Sequence, residues 1–454
     1  MGITDRLKNI DASQGASVAK GEEGNIGFTG KFDLIKRQVH ARLVQDLGSA
    51  LYRSDVTQAE LNSRVYAVLQ SILDRAEVPL SPADRAQIVQ EVIDDALGFG
   101  PIENLLRDNS ITEIMVNRFD SIYIERDGRL AKTEMKFNDD RHLRDVIDRI
   151  VSKVGRRVDE SSPLVDARLP DGSRVNAVIA PVAIDGSSLT IRKFSKYILE
   201  MSDLIAHGTL DTASVEFLMA AIRGKQNIII SGGSGSGKTT TLNVLSSFIP
   251  GEERIVTIED SAELKLLQEH VVRLESRPPN IEGAGEVSIR ALVKNALRMR
   301  PDRIIVGEVR DAAALDMLQA MNTGHEGSMS TVHANSPRDA LLRIETMVLT
   351  ADLQLPVAVI REQLVSSIDF IVHQARLRNG RRYVTSITEI LGYDGNTIAT
   401  QEIFRFNYHD GSEADLKGEL VATGIVPTRL AKIAEQGIHI PLELFHSSAA
   451  RQGQ

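Results

Sequence analysis

The chain of 454 residues has no cysteine and no tryptophan, and only 4% of its residues are aromatic. Without cysteine it forms no disulfide bridge and offers no thiolate to a metal ion, which agrees with a reducing cytosol. No stretch approaches the roughly 18 consecutive apolar residues that span a bilayer, and the N-terminal 15 residues lack the apolar segment of a secretory signal. We therefore expect a soluble, cytoplasmic protein that meets a membrane only through partners.

Positive charge is in deficit. Lysine and arginine number 53 against 62 acidic residues, which gives a net charge of −9. A protein that coats nucleic acid normally has a basic surface, so we expect no nucleic-acid partner. The hydrophobic fraction of 42% and the charged fraction of 25% are typical of globular proteins, and the length suggests about three domains.

The pattern of apolar residues changes several times along the chain. A non-periodic polar tail is followed by helical spacing, then by alternating residues with Asp-Gly turns, then by short apolar runs that alternate with helices. The last pattern predicts a mostly parallel sheet covered by helices. The predicted segments are a disordered tail (1–30), a helical bundle (31–97), an α+β domain (98–193), a linker (194–210), an α/β domain (211–408) and a C-terminal appendage (409–454).

A glycine-rich segment directly follows the apolar run 227–230. Its form, G-x-x-x-x-G-K-[ST], is that of a phosphate-binding loop, in which backbone N–H groups turn toward phosphate oxygens. The lysine is expected to reach the β- and γ-phosphates, and the following threonine to ligate Mg²⁺. The expected nucleotide-binding residues are Gly232, Gly233, Ser234, Gly235, Ser236, Gly237, Lys238, Thr239 and Thr240.

A carboxylate follows a second buried strand. The run Ile304–Val306 leads into Gly307 and Glu308. A carboxylate at such a strand end holds a Mg²⁺-bound water or polarises the attacking water. We expect Glu308 and Thr239 to hold Mg²⁺ between them.

Three more carboxylates follow the strand that ends at Ile258, namely Glu259, Asp260 and Glu263. Open α/β sheets bind ligands at this end of their strands. Either Glu259 or Glu263 can orient the water that attacks the γ-phosphate. The helix dipole alone explains an acid at a helix start, such as Asp260.

Two histidines, His325 and His333, flank a Ser/Thr-rich strand. Their spacing of eight residues is not that of a helical metal-ligand pair, and no cysteine is available, so we expect no metal there. An imidazole that senses the γ-phosphate is the preferred interpretation. In the α+β domain, Arg168, Arg174 and Arg192 have the side chain that stabilises phosphate charge better than lysine does, although an arginine considered alone is more often a solvated surface residue.

The phosphate loop, TIEDSAEL, RIIVGEVRD and STVHANSP occur in that order, and together they resemble the Walker A, Asp box, Walker B and His box of type II/type IV secretion and pilus ATPases. LPDGSRVNAVIAP, NALRMRPDRIIVGEVRD and TGIVPTRL further resemble the CpaF type, the motor of Tad (Flp) pili. The resemblance covers the chain from about residue 100 to its end. One departure is Ser261, where pilus motors commonly have proline after the Glu-Asp pair.

The resemblance implies a RecA-like ATPase domain preceded by a smaller α+β (PAS-like) domain, assembled into a cytoplasmic homo-hexamer. Mg-ATP would bind between the two domains, and their closure would act on an inner-membrane platform protein. By position, Glu308 would be the Walker B carboxylate, Glu263 or Glu259 would activate water, and His325 and His333 would be the His-box residues. The three arginines would approach the nucleotide from the N-terminal side.

Three other functions are compatible with a phosphate loop. A RecA-like nucleic-acid translocase is the main alternative, and salt-sensitive DNA binding would support it. A small-molecule kinase or GTPase is disfavoured because the chain has no N-K-x-D guanine signature. A scaffold that binds ATP without turnover is the non-enzymatic alternative.

Overall fold

A computed structural model describes residues 63, 65–71, 81–96, 98–126, 128–194, 199–279, 284–351, 355–409 and 417–446. The predicted tail 1–30 lies outside these residues. Of the predicted bundle 31–97, only helical residues between 63 and 71 and the helix α1 (Pro82–Ala96) are described. Within the described residues, no helix combines the length and the apolar character that crossing a membrane requires.

The chain divides into two compact units. The first comprises residues up to Ile124, Ala131–Leu169 and Arg174–Arg192, and the second comprises Glu125–Leu130, Pro170–Ser173 and the chain from Lys193 onward. After α1, the elements up to Arg192 are α2 (Glu103–Arg107), β1 (Ile111–Arg118), β2 (Ser121–Arg126), β3 (Arg129–Lys132), α3 (Asp140–Lys153), β4 (Leu164–Arg168), β5 (Arg174–Val178) and β6 (Ser188–Arg192).

These strands form a six-stranded sheet in the order β3-β2-β1-β6-β5-β4. Helix α3 buries one apolar stripe, which includes Leu143, Val146 and Ile150, in the same core as Ile114 and Val116 of β1. Its N-terminus is capped by Asp139, whose carboxylate accepts the backbone N–H of His142 at 2.8 Å. The mixture of strands and a covering helix is the α+β arrangement expected from the sequence.

The elements after Lys193 begin with two helices, α4 (Met201–Ala206) and α5 (Thr212–Arg223). The strands and helices that follow are β7 (Ile228–Gly232), α6 (Lys238–Ser246), β8 (Ile255–Glu259), β9 (Val271–Glu275), α7 (Ile289–Ala296), β10 (Arg303–Val306), α8 (Ala313–Asn322), β11 (Met329–His333), α9 (Pro337–Leu349), α10 (Val357–Ser367), β12 (Phe370–Arg376), β13 (Arg382–Tyr393), β14 (Ile398–His409), β15 (Lys417–Ala422) and α11 (Leu430–Glu435).

The second unit is built on a nine-stranded sheet in the order β15-β14-β13-β12-β7-β11-β10-β8-β9. Six of these strands, from β12 to β9, run parallel, and β13, β14 and β15 extend the sheet antiparallel. The parallel strands β7, β8 and β10 are buried on both faces, as helices on both sides require. The predicted α/β class and the mostly parallel core are confirmed.

Of the segment predicted to be an appendage, 409–454, the described residues 417–446 contact this unit. Strand β15 pairs with β14, from Phe404 opposite Ala422 to His409 opposite Lys417. The buried Phe445 packs its ring against Phe217 of α5, with ring centroids 5.6 Å apart. The sequence of this segment is mostly polar and interrupted by proline, so it did not predict the contact. Its few apolar residues complete a core that is formed mainly by other parts of the second unit.

Candidate functional site

The carboxyl ends of four parallel strands meet at one edge of the nine-stranded sheet. His333 at the end of β11 is in register with Gly232 at the end of β7, and Val306 of β10 lies between Ser330 of β11 and Ile258 of β8. The sequence-predicted carboxylates, one histidine and the phosphate loop therefore share this edge, which is where open α/β sheets bind ligands.

The loop between β7 and α6 needs glycine at defined places. Gly235 and Gly237 have φ values of 66° and 96°, which side-chain-bearing residues rarely adopt. Gly237 immediately precedes Lys238, the first residue of α6, so the left-handed turn aims the helix N-terminus at the loop. Gly232 is required because there is no room for a side chain: a Cβ there would lie 2.2 Å from the carbonyl oxygen of Gln374.

Donors inside the loop converge on one acceptor. Lys238 Nζ donates to the Gly233 carbonyl oxygen at 3.0 Å, and the Ser236 backbone N–H donates to the same oxygen at 3.4 Å. The buried Ser236 hydroxyl has no hydrogen-bond partner among the described residues. The lysine ammonium group, the loop N–H groups and the Ser236 hydroxyl are the kinds of donor that bind phosphate, so the residues present fit that group. Thr239 and Thr240 follow on the first turn of α6 and remain partly accessible.

Glu308 is held by an arginine that the sequence analysis did not select. Arg310 Nη2 donates to Glu308 Oε2 at 2.6 Å, and Arg310 Nη1 lies 3.5 Å from Asp260 Oδ2. Burial alone would raise the pKa of Glu308, but the hydrogen bond and charge of Arg310, aided by Lys238, outweigh burial and lower it. Glu308 is therefore an anion at neutral pH. The only sequence signal for Arg310 was its position two residues after Glu308.

The two candidate carboxylates after β8 differ in environment. Glu259 is 3% exposed, and its Oε2 accepts the backbone N–H groups of Glu263 and Leu264 at 2.7 and 2.9 Å. Its Oε1 is buried and has no hydrogen-bond partner among the described residues. Burial raises the pKa of Glu259 to about 7, against the opposing effect of the two N–H groups. Glu263 is only partly buried.

The two histidines lie at opposite ends of strand β11. His333 ends β11 beside Gly232, and burial, with the charges of Lys238 and Arg343, lowers its pKa, so its imidazole is neutral at neutral pH. His325 precedes the amino end of the same strand, whose five residues span about 13 Å. Asn227, just before β7, accepts N–H groups from Gly327 and Ser328 near His325. Within one chain, β11 therefore separates His325 from His333, and only His333 lies at the edge that carries the phosphate loop. The role of His325 in sensing the γ-phosphate stays a prediction.

The three arginines of the first unit form one row across neighbouring strands. Arg168 of β4 is opposite Arg174 of β5, which in turn is opposite Arg192 of β6. Residues opposite each other on adjacent strands lie on the same face of a sheet. Arg192 Nε also lies 3.9 Å from Glu113 Oε1 of β1. The sequence indicated each of the three arginines separately. That they lie side by side follows only from the register of strands β4, β5 and β6.

The residues that would hold magnesium have the right chemistry. The Thr239 hydroxyl is at the N-terminus of α6, and the anionic Glu308 lies close enough to Lys238 for their charges to interact. Among the residues that the structure describes, no group of three or more histidines or acids forms a metal cage. A phosphate-loop site needs none, since one hydroxyl, water and the nucleotide's phosphates complete the shell of Mg²⁺.

Comparison with known proteins identifies the family. The model of the family described as "Type II/IV secretion system protein" matches residues 95–401. The chain is 34% identical over 301 residues to the conjugal transfer protein TrbB of Rhizobium radiobacter, covering 65% of this chain and 88% of that protein. It is 35% identical over 316 residues to the type IV secretion system protein PtlH of Bordetella pertussis, covering 64% and 92%.

Among solved structures, the chain is similar to the VirB11 ATPase of Brucella suis, with 28% identity, 65% of this chain and 96% of that chain covered, and a TM-score of 0.36. The family match spans more than half of the chain and includes the phosphate loop, Glu308 and His333. The chain belongs to the type II/IV secretion system protein family and is an ATPase of that family.

Proposed function

We propose that the chain is a motor that couples Mg-ATP hydrolysis to pilus assembly or secretion through a membrane partner. The observation that carries the proposal is the phosphate cradle, in which Lys238 and the Ser236 N–H converge on one acceptor. The anionic Glu308 is poised for magnesium at the same edge. The names of the relatives support secretion or conjugal transfer in general, and the Tad-pilus assignment rests on the sequence segments that resemble CpaF.

The residues have separate proposed roles. The loop Gly232–Thr239 and Thr240 bind the phosphates, Thr239 and Glu308 hold Mg²⁺, and the neutral His333 senses the γ-phosphate. Of the two candidates for activating water, we favour Glu263, because Glu259 uses one buried oxygen to fix the backbone of that loop. We assign Arg168, Arg174 and Arg192 to charge stabilisation on the nucleotide.

The proposed assembly is a cytoplasmic homo-hexamer, peripheral to the inner membrane, that acts on a platform protein of a pilus or secretion system. The family membership supports a secretion-system role. Mass measurement of the purified protein with Mg-ATP tests the ring, and purification from its own cells tests the membrane partner. Salt-sensitive DNA binding without a membrane partner would instead favour the nucleic-acid translocase.

The central test compares two variants with a matched control. Lys238→Ala should lose nucleotide binding, because it removes the charge that meets the β- and γ-phosphates. Glu308→Gln should bind ATP within a few-fold of the wild type and lose hydrolysis by about 100-fold or more. Glu326→Gln, at an exposed acid beside His325, is the control and should behave as the wild type. Wild-type turnover by either site variant would refute the assignment.

A further inference from the structure

The strand β12 lies directly beside the strand that leads into the phosphate loop. It pairs in parallel with β7, so that Gln374 is in register with Gly232, and it forms an antiparallel pair with β13. The pairing with β13 shifts register between His373 and Gln374. Such bulges re-aim side chains and are common beside active sites. Neither Gln374 nor β13 was selected from the sequence.

Gln374 contacts the loop and the helix after it. Its Oε1 accepts the Thr241 hydroxyl at 2.8 Å, and both side chains are buried. A Cβ added at Gly237 would lie 3.0 Å from Gln374 Nε2. The side chain therefore lies against the left-handed turn that starts α6, while its backbone carbonyl fills the space beside Gly232.

Arg382, the first residue of β13, holds the middle of the loop. Its Nε donates to the Gly235 carbonyl oxygen at 2.9 Å. In a planar trans peptide, the carbonyl of one residue and the N–H of the next point in opposite directions. Turning the Gly235 carbonyl toward Arg382 therefore aims the Ser236 N–H away from Arg382, and that N–H donates to the Gly233 carbonyl oxygen, the acceptor that Lys238 Nζ also contacts.

We propose that Gln374 and Arg382 are positioning residues that preorganise the phosphate loop for the diphosphate portion of a nucleotide. Arg382 fixes the direction of the Ser236 N–H, and Gln374 fixes the first turn of α6. A loop held in its binding shape loses less entropy when the ligand binds, so the two residues raise affinity for ADP and ATP alike. This inference rests on the proposed function of the site.

The experiment measures binding of Mg-ADP and of a non-hydrolysable Mg-ATP analogue by calorimetry in the full-length protein. Arg382→Ala should weaken both by about 10-fold or more, as expected for a hydrogen bond from a charged donor. Gln374→Met keeps the shape without the acceptor and should weaken both by about 5-fold. Arg381→Ala removes the same charge from the adjacent, exposed position and should leave affinity unchanged.

Thermal unfolding without nucleotide separates positioning from general stability. We expect Arg382→Ala and Arg381→Ala to unfold at similar temperatures, with nucleotide raising the unfolding temperature less in Arg382→Ala. A lowered unfolding temperature with unchanged nucleotide affinity in Arg382→Ala or Gln374→Met would overturn the inference while the proposed function stands. If the wild type and Arg381→Ala bind no nucleotide, the proposed function itself fails.

Discussion

At the scale of single residues, the site depends on how each carboxylate is surrounded. Glu308 and Glu259 are both glutamates at the end of a buried strand, yet Arg310 keeps the first charged and burial favours the protonated form of the second. Because a pKa reflects neighbours from several strands, the sequence could place both residues at the edge but could not tell them apart.

This difference predicts a pH effect on stability. The pKa of Glu259 is raised from 4.5 to about 7 in the folded state, so the folded state binds more protons than the unfolded state between these values, and Glu259 lowers stability as pH rises through them. Glu259→Gln removes that effect. We expect its free energy of unfolding, relative to that of the wild type, to be about 2–3 kcal/mol larger at pH 8 than at pH 5, which means that the variant is relatively more stable at pH 8.

Urea unfolding at both pH values measures this difference, with Glu326→Gln as the control at an exposed acid. An equal offset at the two pH values for Glu259→Gln would show that the carboxyl is not held protonated by burial.

At the scale of elements, the short strands were the most predictable feature. The runs around Ile228–Ile230, Ile255–Ile258 and Ile304–Val306 are strongly β-branched and bounded by turn residues, and all are strands in the structure. The antiparallel extension was not predicted, because β14 and β15 are half-exposed, and they take their place through the pairing of β14 with β13 and of β15 with β14. The alignment of the three arginines depends in the same way on register, which a single strand does not specify.

The packing of the C-terminal segment predicts that the turn at Leu442–Phe445 stabilises the second unit. Phe445 is fully buried against Phe217 and Phe404, so Phe445→Ala should lower the free energy of unfolding by about 3–5 kcal/mol. Leu442→Ala, in the same turn but 54% exposed, should cost about 0.5 kcal/mol or less. Chemical denaturation gives both values, and equal costs would mean that the segment is only loosely attached.

At the scale of the whole molecule, the proposed mechanism needs both compact units. We expect alanine at Arg168, Arg174 and Arg192 together to leave ADP affinity within a few-fold of the wild type and to reduce turnover by about 100-fold, because arginines that stabilise transferred charge act mainly in the transition state. Steady-state ATPase assays and calorimetry measure the two quantities.

The control for this variant removes three exposed arginines from the same unit, Arg141, Arg156 and Arg157. Its turnover should match the wild type. If alanine at Arg168, Arg174 and Arg192 gave the same ATPase rate as this control, the three arginines would have no part in hydrolysis.

The position of β7 in the sheet also affects when its neighbouring strands become available during synthesis. Both strands that flank β7 come later in the chain, and Ser231 meets its hydrogen-bond partner His373 only 142 residues further on. At the usual rates of synthesis, that interval takes roughly 7–30 s. A nascent chain therefore carries the phosphate loop for that interval without β12, and the pairing of Gly232 with Gln374 can form only late in synthesis.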